Sequence, residues 1–343
     1  MMNRRSFARK ALALPLLPAA GPVIAGFPPT RIKPKRLSPG DTIGLITPGS
    51  YIADESLQRA VDNLLKLGLK VKMGRHIRAK HGFVAGTDQQ RLDDLHTMFE
   101  DKSVDAIWCA RGGYGCTRLL PHIDYSLIRA NPKVLVGYSD ITALHQAIFQ
   151  MTGLVTFHGP VGASELTPYT EAQLRAVLMQ PEAPYTIPPS LENEASQEEG
   201  FYAETYQKGK VEGHLLGGNL SLLAAMAGTP YLPDVEGAIV FVEDIGEPPY
   251  RLDRMLTQLR QSWPLGKAAG LALGIFADCE MKPGSDSLPL QQTLAEQIRP
   301  LQIPSAYGLP FGHISHQCTF PIGIRAAFDA GRRTITLLET AVS

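Results

Sequence analysis

The order of apolar runs in this chain predicts an α/β fold. An N-terminal open, mostly parallel sheet with flanking helices precedes a smaller C-terminal α+β domain rich in antiparallel strands, with a cleft between them. Three observations predict it. Strand-like and helix-like stretches alternate from residue 41 to 151, the pattern of parallel strands joined by crossover helices. The stretch 166–205, rich in proline and acidic residues, breaks that alternation. The closing stretch 318–338 returns to short alternating runs, as antiparallel strands do. A length of 343 residues suits two domains, each able to bury a core.

After a Pro- and Lys/Arg-rich lead-in at 30–40, residues 42–46 form an apolar strand stopped by Pro48-Gly49-Ser50. Leu57, Ala60, Val61, Leu64 and Leu65 recur at helical spacing over 55–67, and Gly68 stands where a helix ends. A second strand follows at 69–73, a helix at 88–100 (Leu92, Leu95, Met98, Phe99) and a strand at 106–109. Arg111-Gly112-Gly113-Tyr114-Gly115 is a glycine-rich turn, followed by a short helix, a strand at 134–138 and a helix at 141–151. Ligands of such sheets gather at the carboxyl ends of the strands, where the turns at 47–50, 111–115 and 139 would lie. Residues 166–205 read as a weakly periodic connector or mobile flap. Helices at 220–227 and 252–260 and strands at 238–242 and 270–276 follow. The predicted boundaries are a leader at 1–29, an N-terminal domain at 30–165, the connector, and a C-terminal domain at 206–343.

The leader carries Arg4, Arg5, Arg9 and Lys10 ahead of an apolar stretch from Ala11 to Ala25. That reads as a twin-arginine export signal with a cut after Ala25, directing the chain to the periplasm. The stretch contains Pro15 and Pro18 and is too short to span a bilayer, so no stable membrane span is expected once the signal is removed. Removing those four from the 33 basic residues leaves 29 against 33 acidic ones, a balance that argues against nucleic acid as a partner. Cys109, Cys116, Cys279 and Cys318 are scattered, without metal-ligand spacing, and read as buried thiols; no metal is expected.

Ser139, in Gly137-Tyr138-Ser139-Asp140, falls directly between an apolar strand and a helix. A nucleophile benefits from that position, because the turn lifts the hydroxyl out of the sheet and the helix N–H groups face developing negative charge. A serine there is more commonly an N-cap, and Ile141 stands where a hydrolase elbow has its last glycine. Gly112 and Gly113 can bring backbone N–H groups close to an oxyanion, or form a tight turn with no ligand. Nine histidines compete for the base; His145 is placed to pack inside a helix, whereas His313 sits in a Gly/Pro-bounded loop that frees its ring. Glu243, at the end of the 238–242 strand, is the candidate to orient that ring, with Asp244 and Glu247 as rivals.

Pro39-Gly40-Asp41, Ala85-Gly86-Thr87-Asp88 with Arg91, Arg111-Gly112-Gly113-Tyr114-Gly115, Gly137-Tyr138-Ser139-Asp140, Gly217-Gly218-Asn219-Leu220, Val242-Glu243-Asp244 and Gly312-His313 occur in that order. Together they resemble the serine LD-carboxypeptidases, the family of muramoyltetrapeptide carboxypeptidases, over about residues 32–338. The resemblance implies a cofactor-free Ser-His-Glu triad of Ser139, His313 and Glu243 across a catalytic cleft, with Asp140 and one of Gly112 or Gly113 as backbone oxyanion donors. It implies a small-peptide substrate, the murein stem, cut before a terminal D-alanine whose carboxylate Arg111 could hold; Arg111 could equally brace its turn. It also suggests a homodimer. A related branch acts on microcin C-like aminoacyl nucleotides with an aromatic side chain, typically Trp, in the connector; here the connector offers Tyr169, Tyr185, Phe201 and Tyr202. Most recycling members of the family work in the cytoplasm, which the leader contradicts. The rival of a different class is a periplasmic protein that binds muropeptides without cutting them.

Overall fold

In the computed structural model of the chain, residues 30–343 are described; the leader expected at 1–29, with Arg4, Arg5 and the cut after Ala25, lies outside them. The first half runs β1 (Thr42–Ile46), α1 (Asp54–Lys66), β2 (Lys70–Met73), α2 (Asp88–Glu100), β3 (Ala106–Cys109), α3 (Tyr125–Ala130), β4 (Val134–Gly137), α4 (Thr142–Thr152) and β5 (Phe157–His158). These strands pair in parallel in the order β5-β4-β3-β1-β2. β3 and β4 are buried throughout, as fully apolar runs covered by helices on both faces should be. Asp54 and Glu55 in the first turn of α1 suit the positive end of its dipole, and α2 starts with a reciprocal cap between Thr87 and Gln90.

Residues 166–205 are structured rather than a loose flap: α5 (Pro168–Leu174) continues into a π-turn at Arg175–Met179, followed by β6 (Tyr185–Thr186), α6 (Leu191–Ala195) and, at its end, β7 (Glu204–Gln207). Their weak periodicity has a simple cause. The helices are short, and β6 and β7 are the two outermost strands of a second sheet, where a half-exposed edge leaves no strict alternation to detect.

The second half adds β8 (Lys210–Asn219), α7 (Leu220–Met226), β9 (Ile239–Ile245), α8 (Pro249–Ser262), β10 (Gly270–Ala277), α9 (Leu290–Ile298), β11 (Ser305–Gly312), β12 (Phe320–Pro321), β13 (Arg325–Asp329) and β14 (Thr334–Leu337). Its sheet has eight strands in the order β6-β14-β13-β8-β9-β10-β11-β7, two more than the first sheet. The expected antiparallel strands are present at 325–337, but they flank a parallel centre, β8-β9-β10-β11. β12 leaves this sheet and pairs antiparallel with β5, closing the first one.

The apolar core is continuous across both sheets. At their junction Phe241, Phe311 and Phe320 pack with centroid separations of 4.8–5.7 Å. Aromatic contacts of this kind add about 0.5–1.5 kcal/mol per pair beyond area burial. All four cysteines are buried thiols. No helix among the described residues is long and apolar enough to cross a membrane.

Candidate active site

The turn after β4 is strained at one residue. Ser139 has φ +63°, a left-handed backbone that a residue with a Cβ adopts at a cost of order 1–3 kcal/mol. The N-cap reading of Ser139 is not what the chain adopts: a 3-10 turn over Ser139–Ile141 leads into α4, and neither start has a side-chain cap. The hydroxyl is therefore left uncommitted by the helix it precedes.

Three neighbouring turns converge on this serine. A Cβ built on Gly112 would lie 3.0 Å from both Ser139 Cβ and the Tyr138 carbonyl oxygen, so only glycine lets this chain come so close. Gly113, by contrast, abuts Ser50. The Ser50 N–H donates to the Gly112 carbonyl (3.1 Å), and the Tyr114 N–H donates to Ser50 Oγ (3.1 Å). Asp140, 2% exposed, accepts the Cys116 N–H through Oδ2 (2.9 Å), tying the glycine turn to the serine turn; burial pushes its carboxyl up despite that bond. Buried Arg91 donates from Nη1 to the Pro48 (2.5 Å) and Gly115 (3.0 Å) carbonyls and pairs with Asp88 through Nη2 (2.6 Å).

The second half supplies an imidazole and a carboxylate. Glu243 lies within β9 and is fully buried; its Oε2 is 2.7 Å from His313 Nδ1. Burial drives the Glu243 carboxyl up, but the imidazole beside it outweighs burial and holds it below its ordinary value. Burial likewise depresses His313, and the Glu243 charge overrides it, leaving the ring above its ordinary value. With Nδ1 committed to the carboxylate, the neutral ring carries its lone pair on Nε2.

His313 is not in a free loop. It follows β11 directly, and the run of glycine and proline before it forms a strand because the β10–β11 register slips between Leu273–Tyr307 and Ile275–Gly312. Such a bulge accommodates residues that a regular ladder excludes. The rival carboxylates have other work. Asp244 accepts from Ser221 N and Oγ (2.9 and 2.8 Å) and from Asn219 Nδ2 (3.0 Å) at the start of α7, and Glu247 pairs with Arg251 at 3.0 Å.

The two halves meet at Tyr138, whose ring centroid is 4.8 Å from that of His313. Behind them, the Asn219 N–H donates to Thr142 Oγ1 (3.0 Å) and Gln146 Nε2 to the Gly217 carbonyl (2.6 Å), stitching β8 to α4. A Cβ on Gly218 would lie 2.5 Å from Thr142 Oγ1, so this seam too requires glycine. Ser139 and His313 share no hydrogen bond among the described residues. Serine with Gly112, and His313 with Glu243, are thus two preassembled pairs joined through Tyr138. Arg111 is exposed and donates from Nη1 to the Tyr51 carbonyl (3.0 Å), bracing its turn.

Sequence reasoning passed over Tyr138 and His158. His158, on β5, is 1% exposed and packs edge-on against Tyr138 and Phe241 at 6.0 and 5.3 Å; burial lowers it to about 4, so it is neutral. Its place in a strand of only two residues gave no periodic clue. His145 packs as expected, its Nε2 2.8 Å from the Gly137 carbonyl oxygen. Among the described residues no three His, Cys, Asp or Glu side chains are grouped to hold a metal. A cavity of about 380 Å³ lies between the connector and the second sheet, lined by Asn193, Phe201, Tyr202 and Arg332, and contains none of Ser139, Glu243 or His313.

Comparison with known proteins follows the same two-part division. The LD-carboxypeptidase N-terminal domain matches residues 43–159 and the LD-carboxypeptidase C-terminal domain residues 212–328. A probable murein peptide carboxypeptidase of Bacillus subtilis is 42% identical over 316 residues, covering 91% of this chain and 95% of its own. The crystal structure of muramoyltetrapeptide carboxypeptidase from Oxalobacter formigenes superposes with a TM-score of 0.71 at 34% identity, over 86% of this chain and 97% of that one. The microcin C7 self-immunity protein MccF in its apo state superposes with a TM-score of 0.81 at 28% identity, over 91% and 100%.

Proposed function

The chain belongs to the LD-carboxypeptidase family and is an enzyme of that class, and on this premise we propose that it releases terminal D-alanine from murein tetrapeptide stems with Ser139 as nucleophile, His313 as base and Glu243 behind it. The observation that carries the reading is a strained, uncapped serine with, against the ring of the residue before it, an imidazole already bonded to a buried carboxylate. His313 Nε2 takes the Ser139 proton as Oγ attacks the carbonyl carbon of the L,D bond. The oxygen of the tetrahedral intermediate is stabilised by the N–H of Asp140 and that of Gly112, which lies against Ser139 where Gly113 does not. The imidazolium, held by Glu243, returns the proton to the departing amine of D-alanine, and water then cleaves the acyl-enzyme by the same steps in reverse.

The missing Ser139–His313 bond does not oppose this reading, since catalytic hydrogen bonds commonly tighten only with substrate bound. Incubating tetrapeptide with the protein and weighing the products tests it. Tripeptide plus D-alanine is expected from the natural chain and intact tetrapeptide from Ser139→Ala; intact tetrapeptide from both would favour a binding protein instead. The aminoacyl-nucleotide reading has less support. Trp108 and Trp263 are buried and donate to the Pro160 and Pro233 carbonyls, and Tyr202 of the connector is already stacked on Tyr307 at 4.2 Å. Export to the periplasm and a homodimeric state belong to the same proposal. Fractionation of cells carrying Arg4→Lys with Arg5→Lys tests the first, and sedimentation of the purified chain the second.

A further inference from the structure

Beside the serine turn, the first sheet presents an unusual exposed surface at the carboxyl ends of β1, β2 and β3. Phe83 and Tyr114 are 60% and 56% exposed, yet their rings meet edge to face at 5.1 Å. Neither is a slack loop tip. Val84 and Ala85 are buried, the Ala85 N–H donates to the Gly49 carbonyl (2.9 Å), and Tyr114 is tied to Ser50 through its own N–H. Next to this pair Lys80 Nζ lies 4.0 Å above the Tyr51 ring, and Arg111 is fixed to the Tyr51 carbonyl. Nearby Arg78 is neutralised by Asp54 at 2.9 Å, whereas Lys80 and Arg111 form no ion pair with any described carboxylate.

Two held cations and two held aromatic rings form a recognition wall for a ligand that is anionic near the reacting bond and carries a ring with an apolar C–H face further away. Resting on the murein-stem reading above, we infer that this wall binds the sugar side of the substrate: Lys80 and Arg111 take a free carboxylate of the stem, and Phe83 with Tyr114 stacks against the sugar from which the stem hangs. The reach fits. Three extended residues between the cut bond and the sugar span about 10 Å. Tyr114 is two residues from Gly112, which touches Ser139, and Phe83 lies one ring beyond Tyr114. Charge complementarity selects this ligand over an apolar partner, which would leave both cations unpaired.

The test reads binding separately from cleavage. In the full chain carrying Ser139→Ala, calorimetric titration compares the sugar-bearing tetrapeptide with the free tetrapeptide. Adding Phe83→Ala or Tyr114→Ala should raise the Kd of the sugar-bearing ligand about tenfold and that of the free peptide less than twofold, and Tyr114→Phe should restore it. Lys80→Gln should weaken both ligands by a similar factor, with the difference vanishing at high salt. Equal effects of Phe83→Ala on both ligands, or none on either, would overturn the inference. Failure of the natural chain to cleave either ligand would overturn the carboxypeptidase reading alone, because the titration does not depend on turnover.

Discussion

The serine turn and the His313–Glu243 pair sit within one aromatic ring of each other, yet they are held by different forces. Around Ser139 the positioning is done by backbone: a left-handed φ, glycine contacts at van der Waals limits, and N–H to carbonyl bonds between turns. Around His313 it is done by charge, with a buried carboxylate and an imidazole that each shift the other's titration. The first arrangement is intolerant of an added methyl and, apart from the Asp140 carboxylate that ties its turns together, is built of groups that do not titrate; the second rests on the protonation of both its members. Each can therefore be perturbed without the other.

The largest separation is expected from removing the proposed nucleophile and base. Ser139→Ala and His313→Ala should each lower the rate of D-alanine release by 10³-fold or more, read by mass spectrometry. In denaturant unfolding only His313→Ala should be strongly destabilised, by about 3–5 kcal/mol, because it strands the Glu243 carboxylate without a partner. Equal stability losses would erase the distinction. Glu243→Gln should cost about 10³-fold in kcat and move the acidic limb of kcat/KM to lower pH. On the proposed mechanism, which needs the neutral ring, that limb should lie above the ordinary 6.5 of histidine in the natural chain, because the Glu243 charge raises the ring.

The same variant fixes the pH window of stability. The His313 contribution is complete below 6.5 and fades as pH rises through its higher folded value; the Glu243 contribution is complete above 4.5 and fades as pH falls through its lower one. The stability difference between the natural chain and Glu243→Gln should thus peak between 4.5 and 6.5, in urea titrations across pH. Smaller effects test the backbone side. Gly112→Ala, whose methyl would press on Ser139 and the Tyr138 carbonyl, should lower kcat about 10- to 100-fold with the acidic limb unmoved. Ser139→Gly should abolish activity while raising stability by about 1–2 kcal/mol, as the strained φ is relieved.

Much of the first half was legible because its central strands β1, β3 and β4 are buried apolar runs and α1, α2 and α4 are long enough to show a helical period. Helix 88–100 and strand 106–109 fall where the periodicity predicts. β8, ten residues long, and α9 were missed. Gly213, Gly217 and Gly218 weaken the strand preference of β8, and their reason is tertiary: the Gly237 carbonyl, the Phe241 backbone and the Thr142 side chain respectively leave no room for a side chain there. β11 was missed in the same way, its Gly308 and Pro310 reading as a turn until the bulge against β10 explains them. The site itself was partly readable. Ser139 could be picked out by its place between strand and helix, but choosing His313 from nine histidines, and Glu243 over Asp244, required knowing which strands lie side by side, and that is a property of sheet order rather than of local spacing.

The pairing of β12 with β5 sets a timetable for synthesis. The edge that carries His158 gains its neighbour only when residues 320 and 321 have left the ribosome, after every other part of both sheets except β13 and β14 has been made. Until then the half that bears Ser139 exposes an unpaired strand edge, so a nascent chain, or one terminated before residue 320, carries a sticky border. The first sheet is complete only near the end of translation.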